Sequence, residues 1–99
     1  MNAFDKIYSI VRTIPEGKVM SYGRVALLAG NPRWSRVVGY ALHVNPDPSF
    51  IPCHRVVTKD GRVASSFAFG GSDIQRALLE NEGVRFSSDG RVIMEEYSV

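Results

Sequence analysis

A chain of 99 residues with 44% hydrophobic and 22% charged content has apolar material for one core and too little length for two, which excludes disordered, fibrous and multidomain classes. No apolar run approaches the roughly 18 residues of a membrane helix, the first residues lack a signal peptide's basic and apolar regions, and a single cysteine provides neither an internal disulfide nor a cysteine-based zinc site. A cytoplasmic protein without membrane, metal or cofactor is expected; the net charge of +2 is uneven, since Lys18, Arg24, Arg33, Arg36, Arg55 and Lys59 share their stretch with Asp47 alone, which favours one polyanion-facing side.

Phe4, Ile7, Tyr8, Val11 and Ile14 recur at three and four, the period of an amphipathic helix, with Asn2 as its cap and Pro15-Glu16-Gly17 as its stop. Val19-Met20 reads as a short strand. Ser21 caps a second helix that runs through Arg24, Val25 and Leu28 to Gly30. Asn31-Pro32 has the cap-then-proline order of a helix start, so a third helix is expected from there to about His43. Two short helices parted only by Gly30-Asn31 make a helix-turn-helix, whose second helix commonly enters a DNA groove.

Asn45-Pro46-Asp47-Pro48 cannot continue a helix and reads as a rigid turn. Arg55 to Thr58 and Arg62 to Ala64, joined at Lys59-Asp60-Gly61, are expected to form a β-hairpin, the wing of a winged helix. Ser65 to Gly71 reads as a loop. Ser72 and Gln75 have the spacing of a capping box for a helix through Leu79, which Gly83 ends. Val84-Arg85-Phe86 and Arg91-Val92-Ile93 form a closing hairpin, and Glu95 to Val99 is expected to be a loose tail. The fold class is therefore α/β (α+β): one winged helix-turn-helix domain over residues 1–99, mainly helical with short hairpins.

Chemistry concentrates at Cys53, because a thiol becomes a nucleophile when a neighbouring base or positive charge favours its thiolate, and His54 and Arg55 offer both. Taken alone, Cys53 also reads as a buried small hydrophobe, Arg36 as a solvated helix-face arginine, and Tyr22 and Trp34 as ordinary aromatics. Asn45 reads as a turn initiator, and Glu82 as a charge near a helix end.

The run Ile51-Pro52-Cys53-His54-Arg55-Val56-Val57 resembles the signature of O(6)-alkylguanine-DNA alkyltransferases. So, in order, do Gly17-Lys18-Val19, Ser21-Tyr22, Ala29-Gly30-Asn31-Pro32, Arg36-Val37-Val38-Gly39, Asn45-Pro46, Gly70-Gly71, and Leu78-Leu79 before Glu82-Gly83. The resemblance implies Cys53 as the alkyl acceptor, His54 as its base through a water, Glu82 as the carboxylate that orients His54, and Asn45 as a hinge. It implies Arg36 as the finger that fills the stack behind an extruded base, and Tyr22 as the residue that presses on the target phosphate. Ser21, Arg33 and Arg55 complete the expected DNA-binding set. Pro52, Val56, Phe69, Gly70 and Trp34 complete the expected pocket.

The expected partner is double-stranded DNA containing an alkylated guanine, bound by a monomer. The match starts at the family's DNA-binding domain, so the N-terminal domain of full-length members is expected to be absent, as in small alkyltransferase-like proteins. Those relatives usually lack the cysteine, bind lesions without repairing them, and pass them to nucleotide excision repair proteins. Where the family usually has tyrosine and serine before Gly70-Gly71, this chain has Ala68 and Phe69. Ser65, Ser66 or backbone amides would then meet the guanine edge, and Phe67 or Phe69 would wall the alkyl pocket. Two other readings stand beside alkyl transfer: a non-catalytic lesion sensor of the same fold, and a winged-helix transcription regulator.

Overall fold

The computed structural model describes residues 2–64 and 67–99. Helix α1 spans Ala3–Val11, strand β1 Met20–Ser21, helix α2 Tyr22–Ala29 and helix α3 Ser35–His43. A 3-10 turn follows at Cys53–Arg55, then β2 at Val56–Val57, α4 at Ser72–Asn81 and α5 at Met94–Tyr97.

The caps act as the sequence implies. The Asn2 side chain accepts from the Asp5 amide at 2.9 Å, and that of Ser21 from the Arg24 amide at 3.1 Å. Gly30 closes α2 at φ 116°, a left-handed conformation that costs glycine little and other residues more. Ser21→Ala is therefore expected to cost about 1 kcal/mol of stability, measured as a fall in the thermal midpoint.

Several elements differ from expectation. Helix α1 ends at Val11, and Ile14 reaches the core from the turn beyond it. Helix α3 begins at Ser35 rather than at Pro32. Asn31 caps only a turn, with its side chain accepting from the Arg33 amide and its carbonyl from the Trp34 amide. The wing is a turn without strand pairing. The Thr58 amide donates to the Arg62 carbonyl, but β2 pairs with β1 instead, in parallel, with Met20 beside Val56 and Ser21 beside Val57. Fully buried Val56 and Val57 gain more in the interior than on an exposed hairpin, and α2 and α3 supply the long crossover that a parallel pair needs.

The capping box at Ser72 does not form. Gly71, which has no side chain, occupies the cap position, Ser72 is already helical, and Gln75 is turned into the interior. The closing hairpin is reduced to a bridge between Phe86 and Val92, with the Ser87 amide on the Arg91 carbonyl. The tail is not loose: Tyr97 is buried, and Val19 bonds the Tyr97 carbonyl and the Val99 amide through its own amide and carbonyl. Val19 thus faces the tail while Met20 and Ser21 face β2.

Successive strand residues point to opposite faces, and that alternation divides the interior. Met20 and Val56 join Ile7, Val25, Val38 and Cys53 between the first three helices, whereas Val19 and Val57 join Leu79, Val84 and Tyr97. The cysteine-bearing turn therefore lies where β2 enters the helical core. Among the described residues, no helix is long and apolar enough to cross a membrane.

Candidate functional site

Cys53 is 4% exposed and opens the 3-10 turn, which Asn45 holds from the end of α3. The Asn45 side chain, itself buried, donates to the Ile51 carbonyl at 2.9 Å and accepts from the Asp47 amide at 2.9 Å. One amide group thus bridges the helix-turn-helix and the cysteine segment. Burial pushes the Cys53 thiol above its ordinary value, opposed by hydrogen bonds from Asn45 and from the amides of Cys53 and His54.

His54 Nε2 lies 2.9 Å from Glu82 Oε2. Burial alone would raise Glu82, but hydrogen bonds from Arg55, His54 and the Gly17 amide outweigh it and hold the carboxyl at about 2. The carboxylate is therefore charged at neutral pH and orients the imidazole.

Arg55, expected on the DNA face, turns inward. Its Nε and Nη2 grip Glu82 at 3.0 and 2.8 Å, and its Nη1 donates to the Ile14 carbonyl at 2.8 Å. A guanidinium bonded through both edges holds the site together and is not free for a phosphate. No local sequence signal announces this, since Arg55 and Glu82 lie 27 residues apart.

A cavity of about 610 Å³ opens above Cys53, within the range of small-ligand sites. Of the residues expected to act on DNA or lesion, Cys53, Tyr22 and Arg36 line it. Burial, and secondarily the nearby Cys53, raise the Tyr22 phenol above its ordinary value. Arg36 is exposed on the first turn of α3 and makes no hydrogen bond or ion pair among the described residues. Arg33 is exposed in the turn before α3 and does not line the cavity.

The expected pocket residues fall elsewhere. Pro52 is buried, Val56 is a core strand residue, and Trp34 packs on the helical core. Phe69 stands edge-on to Phe67 with ring centroids 5.9 Å apart, and it is Phe67 that lines the cavity. Gly70 is required by local backbone: its φ is 127°, and a Cβ there would lie 2.7 Å from the Ile74 side chain. Ser65 and Ser66, considered for the guanine edge, lie outside the described residues.

One wall was missed and one only partly foreseen. Gly39, Tyr40 and His43 stand three, four and seven residues after Arg36, so the helical period alone places them on the same face of α3. Ala64, Phe67 and Ala68 form the facing wall, which no periodicity announces. The lining is mainly apolar, with Cys53 at its floor. Such a chamber suits a planar, partly apolar group delivered from outside, with a nucleophile beneath it and a cation at its rim.

Comparison with known proteins places this geometry among relatives. The 6-O-methylguanine DNA methyltransferase DNA-binding domain matches residues 2–84. The DNA base-flipping protein of Escherichia coli K12 is 43% identical over 95 residues, covering 93% of this chain and 70% of that protein. The methylated-DNA–protein-cysteine methyltransferase of Rattus norvegicus is 38% identical over 78 residues, 79% of this chain, and the match spans 37% of that longer protein. The crystal structure of S. pombe Atl1 in complex with damaged DNA containing O6-carboxymethylguanine superposes with a TM-score of 0.82 at 33% identity, covering 98% of this chain and 94% of that one.

Proposed function

Because this chain belongs to the 6-O-methylguanine DNA methyltransferase family through its DNA-binding domain, we propose that it binds duplex DNA as a monomer, extrudes an O(6)-alkylated guanine, and moves the alkyl group irreversibly onto Cys53. The observation that carries this reading is a buried cysteine at the floor of a base-sized chamber, next in sequence to a histidine 2.9 Å from an ionised carboxylate. A chamber beneath the helix-turn-helix is of use only if the base leaves the stack, at a cost of a few kcal/mol. Arg36 at the rim would occupy the gap, since a guanidinium stacks on bases. Tyr22, at the first turn of α2, would meet the backbone of the rotated nucleotide.

In the transfer step the Cys53 sulfur forms a bond to the alkyl carbon as the carbon–O6 bond breaks, and that electron pair leaves with the guanine. The thiol proton passes to His54 through a water, Glu82 stabilises the resulting imidazolium, and the imidazolium returns that proton through water to the departing guanine, which leaves neutral. No external cofactor enters this balance.

A second reading is favoured by one observation. The S. pombe structure with damaged DNA covers 94% of its chain here, so a protein of nearly this extent takes a lesion. In this reading Cys53 only lines the chamber, and the bound lesion is handed to nucleotide excision repair proteins. Incubation with a duplex carrying one O6-methylguanine separates the two by intact mass. A gain of one methyl on Cys53 is expected, and lesion-selective binding at unchanged mass would leave the sensor. A winged-helix transcription regulator would prefer a defined sequence to the lesion.

A further inference from the structure

Gln75 is the polar side chain most deeply enclosed among the described residues, at 1% exposure, and nothing in the transfer step uses it. It rises from the first turn of α4 and satisfies three backbone groups at once. Its Oε1 accepts from the Ala64 amide at 2.8 Å, while its Nε2 donates to the Val56 carbonyl at 3.0 Å and to the His54 carbonyl at 3.2 Å. His54 and Val56 leave the turn that carries Cys53, and Ala64 belongs to the far wall of the chamber.

Among the described residues, that wall has no strand to hold it. The segment after Gly61 forms no ladder with β2, which is paired with β1, so backbone pairing cannot fix the distance between Ala64 and the cysteine turn. Helix α4 does so through Gln75, while the amide of its cap residue Gly71, donating to the Phe67 carbonyl at 2.9 Å, ties the next part of the wall to the start of the same helix. An interior amide with both hydrogens and its oxygen engaged in this way is sensitive to geometry, since loss of one partner strands the others in an apolar setting.

We infer that Gln75 is a positioning residue: it joins the wall at Ala64 to the Cys53 turn and so sets the opening into which the alkylated base must fit. The assignment rests on reading Cys53 as lying at the floor of a base-receiving chamber. It does not require that the alkyl group be transferred.

The discriminating variant is Gln75→Glu. An ionised Glu keeps an acceptor for Ala64 but turns a second oxygen onto the carbonyls of His54 and Val56, whereas a protonated Glu regains a donor. At pH 8, reaction of Cys53 with iodoacetamide, read by intact mass, should be about tenfold faster than in the wild type, and affinity for an O6-methylguanine duplex about tenfold weaker. At pH 5.5 both should return to near the wild-type values measured at that pH. A purely structural glutamine would give this pH-dependent change only through loss of fold, so denaturant melts of the variant should show it fully folded at both pH values, and a reactivity that merely follows the unfolded fraction overturns the inference. Values within twofold of wild type at both pH values overturn the inference.

Amide hydrogen exchange on the wild-type protein gives an independent reading, whatever the stability of the variant. The Ala64 amide should be as protected as those within α4, and exchange at the rate of an open loop overturns the inference. A wild-type protein that gains no methyl from DNA refutes transfer, while the iodoacetamide and exchange results still decide the role of Gln75.

Discussion

Replacing Glu82 by glutamine is expected to lower the rate of methyl transfer by about 10²-fold and to destabilise the fold by about 2 kcal/mol at neutral pH. Both effects follow from one carboxylate serving His54, Arg55 and the Gly17 amide. Without its charge, the imidazole loses the partner that orients it and stabilises its protonated form. Arg55, 16% exposed, is left as a cation facing a neutral amide. The pH dependence has a definite sign. The folded-state carboxyl lies at about 2, below its ordinary 4.5, so its contribution is complete above about pH 5 and is lost as pH falls toward 2. At 1.36 kcal/mol per unit the full shift corresponds to about 3 kcal/mol, reduced to about 2 by residual contact with solvent. Denaturant melts of wild type and Glu82→Gln at pH 7 and pH 2.5 should therefore differ at the first and converge at the second. An equal gap at both would show that the ion pair does not hold the site.

The same residues show what could be read in the sequence. The caps at Asn2, Ser21 and Gly30 were legible because each depends on its own residue and neighbours within four positions. The grouping of Asn45, Cys53, His54 and Glu82 was legible only through family resemblance, since 28 residues separate the histidine from its carboxylate. Arg55 was misplaced because a basic residue in a basic stretch reads as a phosphate ligand until its buried acid is seen. Val56 and Val57 support a hairpin and an interior parallel strand equally well by propensity, and burial decided between them. Gln75 looked like half of a capping box because the spacing rule cannot register that its side chain is drawn inward by three unpaired backbone groups. The tail from Glu95 looked loose because its partner, Val19, lies almost eighty positions away.

Cys53→Ala is expected to abolish the gain in mass from an O6-methylguanine duplex while leaving lesion binding within a few fold, because the chamber walls and Arg36 remain. Truncating a small buried thiol should cost about 1 kcal/mol or less, so loss of transfer would not reflect loss of fold. The pH profile of the wild type then tests how the thiol is activated. Burial holds the Cys53 thiol above its ordinary value, so the resting thiolate is a minor form at neutral pH. A mechanism that waited for that thiolate would gain tenfold in rate with each pH unit up to 9. If His54, held by Glu82, takes the proton as the sulfur attacks, free thiolate need not form first, and the rate instead levels off below the titration of the thiol. The levelling profile is expected for wild type, and the steep one for His54→Ala, measured as single-turnover mass gain between pH 6 and 9. A steep profile in both proteins would remove His54 from the chemical step and leave the Glu82 contacts as structural alone.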